Sequence, residues 1–348
     1  MANSADCNSG DCARVFLTYQ PSLAGNAVLL ALFAILIVVA LTFGFKYRSS
    51  VFATAVSTGL GLEVMGYIGR LLLHGNPDSR GDFIVFLLGT ILGPTCICGA
   101  MFLVMPRIVK IYGDEYHSWR PVWYLFLFYA LTTVSLILQL AGILVSTVLD
   151  GSDMIDIGVR VTVVGLVIQL VAIAIFVGHA ILFAIALRTR RHVLDDKYAS
   201  VYSSGFYKGF MVAFSTATVL LLVRTAYRTV DIAEGYESSI AQSEALFLVL
   251  DGVMVLLSTI LLLAFFPARA LGASWTQTST RSTPLAPPRP ERTSHSQVSS
   301  PHHSPHPSPA YQPKYQRMSI KSTASRTPVK QQYPPPPQRN MVDSDALW

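Results

Sequence analysis

The chain has 348 residues, 52% of them hydrophobic and only 13% charged, with a formal net charge of +6. Soluble domains carry roughly 25% charged residues, and the mean hydropathy here is +0.47. The apolar residues gather in runs of roughly 20 or more, which excludes a soluble globular chain and points to a polytopic membrane protein.

Residues 1–21 form a polar segment, read as exterior, that holds Cys7 and Cys12. In an oxidising compartment these two either close a small disulfide loop or stay free thiols. Seven apolar runs follow, at about 22–44, 51–73, 83–105, 122–149, 157–187, 209–230 and 243–266. No basic stretch and no small-residue cleavage site precedes the first, so it reads as a retained helix. The fourth and fifth exceed the length a span needs and are expected to tilt or to extend into the interface. None shows the alternating pattern of a barrel strand, and helices satisfy their own backbone in lipid. The expected fold is all-α, seven transmembrane helices over residues 22–267.

The loops predict orientation. Lys46 and Arg48 follow the first run, Arg107, Lys110 and Arg120 the third, and Arg188, Arg190, Arg191 and Lys197 the fifth. The alternate loops are acidic: Asp78 and Asp82, then Asp150, Asp153 and Asp156, then Asp231, Glu234 and Glu237. Basic loops mark the cytoplasmic side, which places the N-terminus outside and the C-terminus in the cytoplasm. Residues 268–348 read as a disordered, basic, Pro/Ser-rich tail. Residues 271–348 hold nine basic and three acidic residues and 14 of the 20 prolines, so the whole net charge sits there. Such a tail can rest on anionic lipid, and its RMSI and SRTP sites suit a kinase or an adaptor as partner. Nucleic acid is not an expected partner of a membrane-tethered tail.

Charged residues inside spans are costly and by default face a bundle interior. Glu63, Tyr67 and Arg70 share one face of the second span at i, i+4 and i+7. Glu63 and Arg70 lie roughly 10 Å apart along the axis, too far for a direct pair, so each is expected to find partners on other helices. Arg224, Arg228 and Asp231 form a stripe in the sixth span, and Glu244 and Asp251 lie seven apart in the seventh. These charges suggest a polar network joining spans two, six and seven. Gln139 and Gln169, near Gly142 and Gly165, suggest interhelical hydrogen bonding in spans four and five. Cys96 and Cys98 in span three read as packing residues.

Several seven-span classes fit poorly. Span three ends MPRIVKIY without a D-R-Y, and span seven ends LLLAFFPAR without an N-P-x-x-Y, against a G-protein-coupled receptor. Span seven lacks the lysine of a retinal protein. His179 is the single histidine within the spans, which argues against a zinc hydrolase, and His74 falls in a loop. With no Walker A motif and no nucleophile–base arrangement, the chain is not read as an enzyme, and no cofactor is expected.

The motifs resemble the fungal lipid-translocating exporter family. YQPS at Tyr19–Ser22, with Asn26, precedes the E-x-x-G-Y-x-x-R of Glu63, Gly66, Tyr67 and Arg70. Pro94, Ala100 and Arg107 follow, then Gln139 and Gly142, then Gly165 and Gln169. Arg224, Tyr227, Arg228 and Gly235 come next, then Glu244 and Asp251. The resemblance runs over about residues 18–268. It departs at Thr132, Asp231, Leu248 and the FPA of Phe266–Ala268. It implies a plasma-membrane protein that moves or exports amphipathic lipids, such as sphingoid long-chain bases, in lipid stress or toxin resistance. Membrane lipids and an amphipathic lipid substrate are the implied partners. The alternative is a regulatory seven-span protein that signals through its tail.

Overall fold

A computed structural model describes residues 20–112, 121–149, 151–189, 201, 204–235, 238, 241–272 and 275. Cys7, Cys12, Arg120, Asp150, Arg190, Arg191, Lys197, Glu237 and the tail from residue 276 lie outside the described residues.

The described chain is all-α, with seven helices long and apolar enough to cross a membrane. The first, second, fourth, fifth and sixth are Leu23–Lys46, Ser50–Gly75, Pro121–Val148, Ser152–Thr189 and Gly205–Ala233. They match the apolar runs to within a few residues at most ends; the fifth starts five residues earlier than its run. His74, expected in a loop, belongs to the last turn of the second helix.

Two spans are broken. The third runs from Arg80 to Phe102, turns at Leu103 and Val104, and resumes as a short helix, Met105–Tyr112. The seventh starts as Glu244–Leu246, widens into a π-turn over Phe247–Val253, and continues as Met254–Ala264. After Phe265 a further helix, Pro267–Leu271, crosses the expected tail boundary at 268. The guanidinium of Arg107 lies 3.6 Å above the ring of Trp275, and its Nη1 donates to the Trp275 carbonyl at 3.2 Å. The residues just beyond the seventh span are therefore strapped to the end of the third.

The third span is 72% buried and the first only 22%, so the third occupies the middle of the bundle. Outward residues such as Val28, Ile35, Val38, Ile137 and Val212 are apolar and exposed, as a lipid-facing surface requires. Between helices in lipid, close van der Waals packing replaces the hydrophobic effect, and small residues permit it. Spans two and three touch backbone to backbone: a Cβ on Gly66 would lie 2.8 Å from the Thr90 nitrogen, and one on Gly59 would lie 2.8 Å from the Gly93 carbonyl. Spans four and five meet the same way, with Gly165 against the Gln139 backbone. Phe102, Phe128, Phe176 and Phe214 then join spans three to six through ring contacts of 4.9, 5.6 and 6.0 Å.

Candidate functional site

The expected polar network forms at the end of the bundle that carries the loops after spans two, four and six. Its residues are fully enclosed: Glu63, Arg70, Arg224 and Asp251 are each 1% exposed. Arg224 Nε sits 2.5 Å from Asp251 Oδ1, joining spans six and seven. One turn on, Arg228 Nη1 meets Asp231 Oδ2 at 2.7 Å within the sixth span. The third span supplies a connector that the sequence reading passed over. The Thr90 carbonyl accepts from Arg224 Nη2, and Thr90 Oγ1 accepts from Arg228 Nη2 at 3.2 Å. These bonds join helices three, six and seven, and Glu63 of helix two lies close enough to feel the charges of Asp251, Arg224 and Arg228.

Aromatic rings fill the space between the charges. The Arg70 guanidinium lies 3.8 Å from the centre of the Phe247 ring and 5.1 Å from Phe86. Arg228 lies 5.6 Å from Phe247. Desolvated cation–π contacts of this kind are worth about 2 kcal/mol. Tyr67 stacks on Phe33 of the first span at 5.5 Å and stands 6.3 Å from Phe247. Its hydroxyl presses on the π-turn, because a Cβ on Gly252 would lie 2.5 Å from it. π-turns occur mainly as local insertions in helices, often at functional sites. This one holds both Phe247 and Asp251.

Two carboxylates of the network are thus paired with arginine. Glu63 differs: its Oε1 is buried and has no hydrogen-bond partner among the described residues. The Tyr67 hydroxyl, one turn away on the same face, is likewise buried without one. A cavity of about 30 Å³ lies on the Arg70 and Arg228 side of the network, lined by Arg70, Phe86, Tyr227, Arg228, Asp231 and Phe247 and not by Glu63 or Tyr67. That volume takes a water or two and no alkyl chain, so in this conformation the site is closed to lipid.

Three of the nine expected residues stand elsewhere. Glu244 does not meet the arginines: its Oε1 accepts the Ser22 amide at 2.6 Å and the Asn26 side-chain amide at 3.5 Å. It ties the start of span seven to the start of span one. On the next helix the His74 Nδ1 lies 2.7 Å from the Pro21 carbonyl. Gln139 builds a separate cluster between spans three, four and five. It accepts from Thr95 at 3.1 Å and donates to Ser135 at 2.7 Å, and Ser135 donates to the Gly165 carbonyl at 2.7 Å. Gln169 is buried in span five with its side chain beside the Cys98 thiol of span three. Cys96 and Cys98 are free thiols, half-buried and buried.

Seven membrane-crossing helices around a buried charge network define a multi-pass membrane protein. The chain belongs to the RTA1 like protein family, whose model matches residues 56–274, the stretch that holds every charged residue of the network. The resemblance read from the motifs thus holds. Among relatives in Saccharomyces cerevisiae, the sphingoid long-chain base transporter RSB1 is 25% identical over 280 residues, covering 72% of each chain. Protein RTA1 is 22% identical over 211 residues, covering 60% of this chain and 63% of its own. Protoporphyrin uptake protein 1 is 22% identical over 204 residues, covering 58% and 63%. No solved structure matches the chain.

Proposed function

We propose that this protein is a non-enzymatic transporter that moves a cationic amphipathic lipid, of the sphingoid long-chain base type, across the plasma membrane. The similarity to a sphingoid long-chain base transporter supports the substrate class. The observation that carries the reading is Glu63, a buried mid-span carboxylate whose Oε1 has no hydrogen-bond partner among the described residues, while Asp251 and Asp231 are paired with arginine. A buried carboxylate left without a hydrogen bond at that depth is costly, and the ammonium head of a long-chain base is a fitting donor. In this reading the acidic-loop end faces outward, and spans two, six and seven part to admit the head while apolar helix faces hold the tail.

Purified protein in liposomes, followed by movement of a fluorescent sphingoid base between leaflets, tests this directly. Wild type should move the lipid, and Glu63→Gln, shown folded by its circular dichroism, should not. Equal transport by both would remove Glu63 from the path. A second reading has its own support: the arginine–aspartate pairs are complete and the cavity has room only for water, as a structural clasp in a regulatory protein would require. No transport by the folded wild type would favour that clasp, with signalling through the cytoplasmic tail.

A further inference from the structure

We propose that Tyr67 is a specificity-determining residue that reads a hydroxyl group next to the amine of the transported lipid, so that the site selects amino alcohols over plain long-chain amines. This rests on the transport function proposed above.

Tyr67 is 0% exposed, and its hydroxyl has no hydrogen-bond partner among the described residues. Leaving a buried hydroxyl unsatisfied costs about 1–3 kcal/mol, and buried phenols normally find a partner. A phenylalanine would make the same ring contacts with Phe33 and Phe247 at no such cost. Packing alone therefore does not account for a tyrosine here. Four residues earlier on the same face, Glu63 Oε1 is also buried without a hydrogen-bond partner among the described residues. One helical turn, about 5.4 Å, separates the two positions along the axis. The pair offers a carboxylate acceptor for an ammonium and a phenol, both donor and acceptor, for an adjacent hydroxyl. A head group with an amine and a hydroxyl on neighbouring carbons satisfies both at once. An alkylamine satisfies only Glu63.

The geometry also supplies the access route. Phe247 lines the small cavity and its ring stands 6.3 Å from that of Tyr67, so one side chain borders both the cavity and the tyrosine. It is the first residue of the π-turn, and the turn's Gly252 abuts the Tyr67 hydroxyl. A shift of that turn would open the way and free the hydroxyl together.

The test uses the full chain in liposomes and three lipids of equal chain length: a 2-amino-1,3-diol, the same lipid with both hydroxyls methylated, and the 1-alkylamine. Wild type should favour the aminodiol over the other two by about five- to tenfold, the range of one net hydrogen bond. Tyr67→Phe should collapse that ratio towards one, whereas Glu63→Gln should lower transport of all three. A wild type that moves all three alike overturns the inference and needs no variant to fold. A ratio that survives in Tyr67→Phe overturns it as well, with transport itself left standing. Wild type that moves none of them overturns the transport reading and this inference with it.

Discussion

Breaking the Arg224–Asp251 pair should be far more damaging than removing it whole. The two groups are 2.5 Å apart, and both are 1% exposed. Removing one partner of a buried pair leaves the other charge uncompensated, at about 3–5 kcal/mol. Asp251→Leu strands the Arg224 guanidinium, although the Thr90 carbonyl still accepts from it. Arg224→Met strands the carboxylate and also empties that carbonyl, adding about 1 kcal/mol. The double variant leaves no charge behind and should cost less than either single change, giving a coupling of several kcal/mol. The assay is equilibrium unfolding of the purified protein in mixed micelles against increasing dodecyl sulfate, read by circular dichroism, for all four members of the cycle. Single costs that add to within about 0.5 kcal/mol in the double variant would refute the pair.

Three further outcomes follow from other parts of the bundle. Gly66→Ala pushes a methyl into the backbone of Thr90 and should destabilise by about 1–3 kcal/mol in the same titration. Gly61→Ala, five residues earlier with nothing within 4 Å of the added carbon, should gain up to about 1 kcal/mol of helix propensity instead. Arg107→Ala removes the cation–π and hydrogen-bond strap on Trp275. It should raise the rate of tryptic cleavage after Arg269 by about fivefold, measured by limited proteolysis and mass spectrometry.

The helices were legible because span length and hydropathy are local properties, and so was the burial of Glu63, Arg70, Arg224 and Asp251, because lipid leaves a charge few places to go. What pairs with what was not legible. Glu244 and Asp251 sit seven apart on one apparent stripe, yet the π-turn between them sends one to Ser22 and the other to Arg224. Nothing in FLVLDGV distinguishes a π-turn from an α-helix, since both use the same residues and differ only in which carbonyl each amide finds. Thr90 was overlooked because a mid-span threonine ordinarily bonds its own helix, as Thr90 does to the Phe86 carbonyl at 2.9 Å. Its second role depends on an arginine 138 residues away. A partial signal existed: Thr90 follows Gly89, and glycine seams show where a second backbone approaches. Gln139 does bridge helices: Thr95 of span three donates to it at 3.1 Å, and Ser135 of its own span carries the link on to the Gly165 carbonyl of span five.

The π-turn also fixes how long the seventh span must be. Such a turn is one surplus residue that the helix on either side has no freedom to absorb. Below it, Met254–Ala264 keeps Ser258 and Thr259 buried and Ile260 outward. Above it, Glu244 is held by Ser22. Each half is keyed to its own neighbours, and only the insertion lets both be in register. A chain shorter by one residue between Phe247 and Val253 would close into plain α-helix and rotate the upper half by about 100°. Glu244 would then swing off the first span while Asp251 stayed near Arg224. Point substitutions in this segment change what the site touches, whereas a single-residue deletion would uncouple its two ends.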